Sequence, residues 1–266
     1  MSGATFRMAL VVISGTMAAE VRRVTDDIVC LRRASYLTCS YIVRTSKGLV
    51  LVDAGMDSDG VDVHFALREM KATPDEIRAI LLTHWHNDHA AGAHSLHELT
   101  DAPVYYHCGD EPFYTGRAGA TGVRRWLSDQ IPEWGVFVLA KGLLGEATPR
   151  AVTAQHLVED GDVILDDFEV ITTPGHTPGH VCYFYRPAKV LFAGDAVAVV
   201  RGRIRFMARP VTPDINAARA SVEKCLSVNP QIVCPGHREP LTVEVASSCD
   251  AMRSYLKNGG PWPLFG

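Results

Sequence analysis

The sequence lacks an apolar run long enough to cross a bilayer. A transmembrane helix needs about 20 consecutive apolar residues, and no segment of the 266-residue chain approaches that length. The chain also lacks an excess of basic residues, because 26 Lys and Arg stand against 30 Asp and Glu, for a formal net charge of −4. We therefore expect neither a membrane partner nor a nucleic-acid groove as the main feature of the surface.

No two cysteines form a Cys-x-x-Cys pair, and their number, seven, is odd. Several of them lie in apolar runs, as Cys30 and Cys234 do. This pattern favours buried free thiols in a reducing compartment over a disulfide framework. We therefore expect a cytoplasmic protein.

The first 20 residues form an N-terminal extension with several interpretations. Arg7, the short apolar run 8–13 and the segment 16–19 weakly resemble a signal peptide. An additional β-strand, or an upstream start with Met17 as the natural initiator, fits them equally well. A periplasmic or secreted location therefore stays open.

The bulk composition is that of a globular protein, with 47% hydrophobic and 21% charged residues. A chain of this length can bury a sizeable core as one large domain or two small ones. From about 109 to 155 the pattern becomes irregular and partly helical, with Trp126 and Trp134. We interpret this stretch as an insertion that forms part of a pocket wall, and either Trp as a core residue rather than a substrate contact.

Four side chains of metal-ligand type lie within six positions, at His84, His86, Asp88 and His89. They follow the apolar run 79–82, which has the length and composition of a buried strand. In extended backbone His84 and His86 point to the same side. Imidazole and carboxylate together suit Zn²⁺, or Fe or Mn. A polar loop with scattered histidines is the weaker interpretation, because these groups would be poorly solvated behind a strand without a cation.

The same arrangement, an apolar strand followed by a turn that carries Asp or His, recurs along the chain. The further turns carry Asp53, either His176 or His180, Asp195, and His237. In α/β sheets the loops at the carboxyl ends of strands form the ligand crevice. Asp53 is either a turn residue or an acceptor for the free N–H of a ligand histidine.

Hydrophobic patterning predicts strands and helices around these turns. Strands are expected at 27–31, 40–44, 48–52, 79–82, 102–107, 163–165, 168–172, 181–185, 189–193 and 231–234. Helices are expected at 61–71, 73–77, after the metal motif, from Thr212 to about 228, and at 241–256. The basic stretch 201–210 is expected to be a solvated strand face; if it covers the pocket mouth, it would favour a carboxylate-bearing substrate.

Taken in order, the ligand-type motifs resemble those of the metallo-β-lactamase-fold hydrolases. The motifs are His84-x-His86-x-Asp88-His89, Gly175-His176-Thr177, Gly194-Asp195 and Gly236-His237. The resemblance covers about residues 21–256. It implies an α/β (α+β) fold, an αββα sandwich of two mixed β-sheets flanked by helices, with a metal site at one edge. We expect a single domain over 21–258 and a loosely held tail at 259–266.

The resemblance also implies roles for individual residues. One metal would be held by His84, His86 and His176, and a second by Asp88, His89 and His237, with Asp195 as the bridge. This choice selects His176 over His180 and makes Asp53 the acceptor behind the ligands. We expect two Zn²⁺ per chain, with Fe or Mn as alternatives.

The implied chemistry is hydrolysis of a small ester, thioester or lactone. A metal-bridged hydroxide would attack the carbonyl, and Asp88 would orient this nucleophile and carry a proton to the leaving group. The carboxylate at Asp195 resembles the glyoxalase II and lactonase branches, although Ala198 stands where homoserine-lactone lactonases place a Tyr. A mononuclear-iron persulfide dioxygenase and a β-lactam hydrolase are the alternatives. We expect a small-molecule substrate, with a homodimer as one option.

Overall fold

A computed structural model describes residues 12–13, 16–17, 19–34, 36–115, 127, 149–152 and 155–264. Within these residues, two large β-sheets pack face to face and helices cover the outer face of each sheet. The predicted αββα sandwich is confirmed. Most of the predicted insertion at 109–155, with Trp126 and Trp134, and most of the N-terminal extension lie outside the described residues.

The first large sheet has seven strands in sequence order. They are β3 (Glu20–Arg23), β4 (Ile28–Arg32), β5 (Cys39–Thr45), β6 (Gly48–Val52), β7 (Ile77–Leu81), β8 (Val104–His107) and β9 (Gln155–Val158). Neighbours from β3 to β6 are antiparallel, and those from β6 to β9 are parallel. A short hairpin of β1 (Val12–Ile13) and β2 (Thr16–Met17) precedes this sheet.

Parallel strands need crossover connections, and helices provide them here. The helix α1 (Val61–Glu69) links β6 to β7, while α2 (Asn87–Ala90) and α3 (Ala93–Thr100) lie between β7 and β8. A further short helix, α4 (Glu111–Tyr114), follows β8. The apolar faces of α1 and α3 pack on the outer face of the first sheet.

The second large sheet has five strands, and it is also mixed. They are β10 (Val163–Ile164), β11 (Phe168–Thr172), β12 (Val181–Tyr185), β13 (Val190–Gly194) and β16 (Ile232–Pro235). The strands β13 and β16 are parallel neighbours, and the other pairs are antiparallel. Between β13 and β16 come the hairpin of β14 (Ala198–Val200) and β15 (Arg203–Arg205) and the helix α5 (Ile215–Ser227); α6 (Val245–Lys257) follows β16.

Alternating side chains explain why the second sheet lies between two layers. In β12, Val181, Tyr183 and Tyr185 face the first sheet, whereas Cys182 and Phe184 face α5 and α6. All five are buried, so the strand is apolar throughout, as strands covered on both faces are. The ends of such strands are held firmly, which matters because the loops at these ends carry the site.

Two boundaries illustrate how local chemistry sets the elements. The helix α5 begins at Ile215, directly after the predicted cap at 212–214, because the Asp214 side chain accepts the backbone N–H of Ala217 at 2.9 Å. The terminal helix begins at Val245 rather than at Leu241. Leu241 instead exchanges two backbone hydrogen bonds with Val233 of β16, at 3.0 and 2.8 Å.

The predicted loose tail is wrong as far as the structure describes it, up to residue 264. The Trp262 ring stacks on Phe206 with centroids 4.1 Å apart, and its indole N–H donates to the Met207 carbonyl at 2.9 Å. The Arg209 N–H donates to the Pro263 carbonyl at 3.0 Å. A large ring with one polar N–H finds both a stacking partner and an acceptor here, which fixes the tail.

All seven cysteines lie in the described part of the chain and are free thiols. Six are buried and Cys108 is exposed, in agreement with the expectation of buried free thiols. No helix in the described ranges combines the length and the apolar character that crossing a bilayer requires.

Candidate metal centre

One edge of the sandwich collects loops from both sheets. Asp53 and His84 follow β6 and β7, which are parallel neighbours. Asp195 and His237 follow β13 and β16, which are parallel neighbours in the other sheet. The loop from β11 to β12 carries His176. Because parallel strands end at the same edge, residues far apart in sequence meet there.

A first group of ligand-type atoms comes from His84, His86 and His176, whose atoms lie within 4.8 Å of one another. His86 Nδ1 and His176 Nε2 are 2.9 Å apart. The three rings meet edge to face, with centroids 4.6 to 4.8 Å apart. Three imidazole nitrogens converging in this way could supply three of the four ligands of a tetrahedral cation site.

A second group comes from Asp88, His89 and His237. The two Nε2 atoms of His89 and His237 are 3.3 Å apart. Asp88 Oδ2 lies 3.5 Å from each of them. Asp88 and His89 are adjacent in sequence, and both point inward because they lie in the first turn of α2 rather than in a strand.

The Asp195 carboxylate lies between the two groups. Its Oδ2 is 3.4 Å from His176 Nε2 and 3.3 Å from His237 Nε2, and its Oδ1 is 3.8 Å from His89 Nε2. Burial raises the pKa of Asp195, but the imidazoles of His237 and His176 outweigh it and hold the pKa well below its usual range. Asp195 is therefore an ionised carboxylate within reach of both groups.

Two buried atoms of this cluster have no hydrogen-bond partner among the described residues. They are His84 Nε2 and Asp195 Oδ1. A buried polar atom without a partner costs about 1–3 kcal/mol, so natural structures rarely leave two in one place. A divalent cation that prefers nitrogen and oxygen ligands would satisfy both atoms, and the residues present fit such an ion.

The histidines of the first group are held neutral. Burial lowers the pKa of His84 well below its ordinary value, and His89 and His176 lower it further. Burial also lowers the pKa of His86 to about 3, with His176 as the next cause. A neutral imidazole keeps a lone pair free, and this is the form that binds a metal.

The histidines of the second group sit among carboxylates. Burial alone would lower the pKa of His89, but the surrounding Asp88, Asp53 and Asp195 raise it to about 9. In the same way the pKa of His237 is raised to about 10 against its burial, by Asp195 and then Asp88. Negative charge therefore dominates this side of the cluster, and bound cations would offset it.

Three of the histidines have their Nδ1 atom in contact with a carboxylate or carbonyl oxygen of the protein. Asp53 Oδ2 lies 3.0 Å from His89 Nδ1, and its Oδ1 accepts the Thr83 N–H at 2.8 Å. His176 Nδ1 contacts the Val211 carbonyl at 2.5 Å, and His237 Nδ1 contacts the Tyr36 carbonyl at 2.9 Å. Such contacts fix the ring orientation, leaving Nε2 to face the centre of the cluster.

The structure places His176 and His180, between which the residues alone did not choose, in different surroundings. His180 Nε2 accepts the Asp195 backbone N–H at 2.9 Å, and its Nδ1 contacts Thr173 Oγ1 at 2.7 Å. Both ring nitrogens are thus engaged, and His180 belongs to none of the groups that could hold a cation. His180 positions the Asp195 backbone, whereas His176 keeps Nε2 directed at the cluster.

Gly236 is required beside the centre because of close contact rather than backbone freedom. A Cβ at this position would lie 2.4 Å from Asp195 Oδ1 and 2.7 Å from His89 Cε1. Any side chain there would fill the space between these two groups. Gly236, directly after β16, therefore leaves the space between Asp195 and His89 open.

Sequence reasoning missed Asp110, which joins the two ligand loops. Its Oδ1 accepts the Gly179 N–H at 2.7 Å, and its Oδ2 accepts the Thr177 hydroxyl at 2.8 Å and the Trp85 N–H at 3.2 Å. The residue is fully buried, and burial raises its pKa to about 6 although these donors lower it. No motif marks it, because its partners are 25 to 69 residues away in sequence.

We expect Asp110→Ala to lower the melting temperature. The change leaves three donors without an acceptor, and each unmade hydrogen bond costs about 1–3 kcal/mol. A loss of about 3 kcal/mol would lower the Tm by roughly 6–12 °C, measured by thermal unfolding. Asp110→Asn keeps one acceptor oxygen and should lie in between. Exposed Glu98→Ala is the matched control. An Asp110→Ala protein as stable as this control would show that the Asp110 hydrogen bonds do not stabilise the two loops.

A protein-family comparison decides the assignment. The model described as "Metallo-beta-lactamase superfamily" matches residues 37–237, from the loop before β5 to the last histidine of the cluster. The chain belongs to the metallo-beta-lactamase superfamily. The fold and the predicted resemblance are thereby confirmed.

Named relatives of this superfamily member are metallo-hydrolases. It is 34% identical over 211 residues to "Probable metallo-hydrolase YflN" of Bacillus subtilis, covering 73% of this chain and 76% of that protein. It is 32% identical over 151 residues to a hydroxyacylglutathione hydrolase of Salmonella gallinarum, which is 56% of this chain but 42% of that enzyme. A metal-dependent hydrolase fits both relatives and the geometry of the cluster.

Solved structures of the superfamily share the fold. TTHA1623, crystallised in a di-iron-bound form, superposes with a TM-score of 0.60 at 29% identity, covering 82% of this chain and 96% of that one. A B3 metallo-beta-lactamase with an active-site glutamic acid superposes with a TM-score of 0.63 at 23% identity, covering 90% and 87%. At that identity the second likeness supports the fold alone.

Proposed function

We propose that this chain is a dinuclear metal-dependent hydrolase of a small carbonyl substrate, an ester, thioester or lactone. The observation that carries the proposal is the Asp195 carboxylate, 3.4 Å from His176 Nε2 and 3.3 Å from His237 Nε2. A carboxylate in contact with both histidine groups is suited to bridge two cations. The cytoplasmic location, the homodimer and the absence of a nucleic-acid partner stay predictions.

In this proposal His84, His86 and His176 hold one cation, and Asp88, His89 and His237 hold the other. Two divalent cations in this cage would lower the pKa of a water molecule and polarise a carbonyl group. Asp53, the Val211 carbonyl and the Tyr36 carbonyl keep the rings in place. The protein thus supplies orientation before any substrate arrives.

Asp88 is the proposed catalytic acid and base. Burial raises the pKa of Asp88, but His89 and His237 outweigh it and lower the pKa, which keeps the carboxylate ionised. The Thr38 hydroxyl donates to Asp88 Oδ2 at 3.3 Å and orients it. The carboxylate can then accept a proton from the attacking water and pass it to the leaving group.

The relatives support two refinements. The hydroxyacylglutathione hydrolase relative acts on a thioester by its name, which supports a thioester among the candidate substrates. The di-iron-bound TTHA1623 supports a pair of metals and keeps iron beside zinc as the native ion. A mononuclear iron dioxygenase would leave Asp88 and His89 without a role, and we rank it second.

The test is metal content per chain together with a substrate panel. Protein loaded with Zn²⁺, Fe²⁺ or Mn²⁺ would be assayed with p-nitrophenyl esters, a glutathione thioester, lactones and nitrocefin, and for oxygen uptake with glutathione persulfide. We expect about two metals per chain and hydrolysis of an ester, thioester or lactone. The rate of hydrolysis should fall roughly 10²-fold or more in Asp88→Asn.

Exposed Asp26→Asn is the control. One metal with persulfide-dependent oxygen uptake, or turnover unaffected by Asp88→Asn, would refute the proposal.

A further inference from the structure

A broad groove of about 730 Å³ has five arginines among its ten lining residues. They are Arg32, Arg201, Arg203, Arg205 and Arg238. The chain as a whole carries a net charge of −4, so this concentration of positive charge runs against its overall balance. We call this surface the arginine groove.

The walls of the arginine groove continue directly from the ligand-bearing segments. One wall is the β14–β15 hairpin, which begins at Ala198, three residues after Asp195. Another wall carries Arg238, the residue after His237. The Arg238 N–H donates to the Leu37 carbonyl at 2.8 Å, and Leu37 also lines the groove. The groove therefore opens beside the second group of ligands.

The contacts of the β14–β15 hairpin fix the backbone positions of its arginines. Arg203 and Arg205 are two apart in β15 and share one face, while Ile204 between them is buried against α6. The Ile204 N–H donates to Ser248 Oγ of α6 at 2.7 Å. Arg201 and Gly202 form a two-residue turn with φ values of 51° and 70°, as the tight hairpin turns require.

Four of these guanidinium groups have no carboxylate partner in the part of the chain that the structure describes. They are Arg201, Arg203, Arg205 and Arg238, all of them exposed. The acid of the groove, Glu239, already contacts Arg22 at 2.5 Å and Arg32 at 3.6 Å. Like charges gathered in a groove repel one another and create a field that attracts anions.

We propose that the arginine groove binds an anionic oxyacid group of the substrate, a carboxylate or a phosphate, while the carbonyl to be cleaved lies at the metal centre. This inference rests on the proposed hydrolase function and names its substrate class: a small acyl compound with a negatively charged arm. Planar guanidinium groups match carboxylate and phosphate oxygens with paired hydrogen bonds.

The lining favours a small molecule over a nucleic acid. Single-stranded nucleic acids are held by aromatic side chains on which bases stack, and the described lining residues include none. Apart from Gly202 and Glu239, the remaining lining is aliphatic, with Leu37, Val199 and Val200. Such a surface accommodates the hydrocarbon part of an acyl chain between the charged arm and the carbonyl.

Matched esters test the proposal. The metal-loaded protein would hydrolyse p-nitrophenyl pentanoate, which is neutral, and p-nitrophenyl hemiglutarate, which has the same number of acyl carbons and ends in a carboxylate. In Arg203→Gln/Arg205→Gln and in Arg238→Gln, we expect the ratio of kcat/KM for the anionic to the neutral ester to fall roughly tenfold, mainly through KM, as for a lost hydrogen bond to a charged group. Raised salt should reduce the same ratio in the unmodified protein.

Arg186→Gln is the control, because Arg186 follows β12 at the end of the sheet opposite the centre and pairs with Glu169. It should leave the ratio unchanged. A ratio that is the same in all three variants and in the unmodified protein would overturn the proposal.

A binding measurement separates failure of the groove from failure of the hydrolase proposal. Calorimetric titration of the metal-loaded protein with glutarate, with inorganic phosphate and with a single-stranded RNA does not depend on turnover. Weaker binding of glutarate in the groove variants assigns a carboxylate, and weaker binding of phosphate assigns a phosphate; either supports the groove even if no ester is hydrolysed. Unchanged binding of both anions, or loss of binding only to a single-stranded RNA, would refute it.

Discussion

Replacing Asp195 with Asn is expected to lower kcat/KM by roughly 10³-fold, because in the proposed mechanism this carboxylate acts on both cations. The carboxylate contacts histidines of both ligand groups, and its Oδ1 is buried without a partner in the described structure. An amide is neutral and directs an N–H₂ group toward the imidazoles. We therefore expect metal content to fall from about two per chain to one or fewer, measured by elemental analysis beside the kinetics.

A matched Asp→Asn change controls for the substitution itself. Asp166 lies in an exposed turn between β10 and β11, with a φ of 66° that Asn tolerates well. Asp166→Asn should retain both the rate and the metal. If Asp195→Asn kept two metals and a rate within tenfold of the control, Asp195 would not be the bridge.

Removal of metal is expected to lower the melting temperature by about 8–16 °C. The ligand-type residues come from both sheets, so a cation bound there ties the two sheets together. A ligand present at about 1,000 times its dissociation constant stabilises the folded state by about 4 kcal/mol, and for a domain of this size each kcal/mol moves the Tm by roughly 2–4 °C. Thermal unfolding with a chelator, and then with added Zn²⁺, measures the difference.

The change in Tm should require the ligand-type residues and should not come from the chelator itself. In His84→Ala the chelator should change the Tm little. His84 belongs to two of the three residue sets that could hold a metal ion, the first group and a set with His89 and Asp195. His94→Ala changes a histidine outside the centre, and it should retain the full shift. A protein stripped of metal, as checked by elemental analysis, that melted within 2 °C of the loaded form would contradict the structural role of the cations.

Sequence reasoning selected the residues that the structure brings together through patterns that are local in the chain. The cluster from His84 to His89 is dense enough to stand out, and the single residues Asp195 and His237 each end an apolar strand. Buried strands such as β12 and β13 were also predicted, since apolar runs of five residues are distinctive. The layer order came from the family resemblance.

The contacts that hold the ligands were largely hidden from the sequence. Asp110 acts through two backbone N–H groups and one hydroxyl from other loops, and Thr38 reaches Asp88 across 50 positions. Only the fold brings such residues together. On the residues alone His180 could not be separated from His176. The family resemblance selects His176, and the structure adds that His180 Nε2 accepts the Asp195 N–H.

The sequence also failed to predict two strands, β3 and β9, and the contacts of the tail. The strand β3 is half exposed and polar, with the sequence Glu-Val-Arg-Arg, so it has no apolar pattern to reveal it. The strand β9 was not predicted: the expected insertion ends at about 155, and the adjacent exposed residues His156 and Leu157 break the alternation. The tail was expected to be loose, because the partners of Trp262 are more than 50 residues away in sequence.

The distribution of thiols makes the protein convenient to label. Cys108 is the exposed cysteine, and the other six are buried. A maleimide fluorophore should therefore attach at one defined position without any engineered residue. That position is two residues before Asp110, so the emission of the dye would report the arrival of a cation or a substrate from beside the loops that receive them.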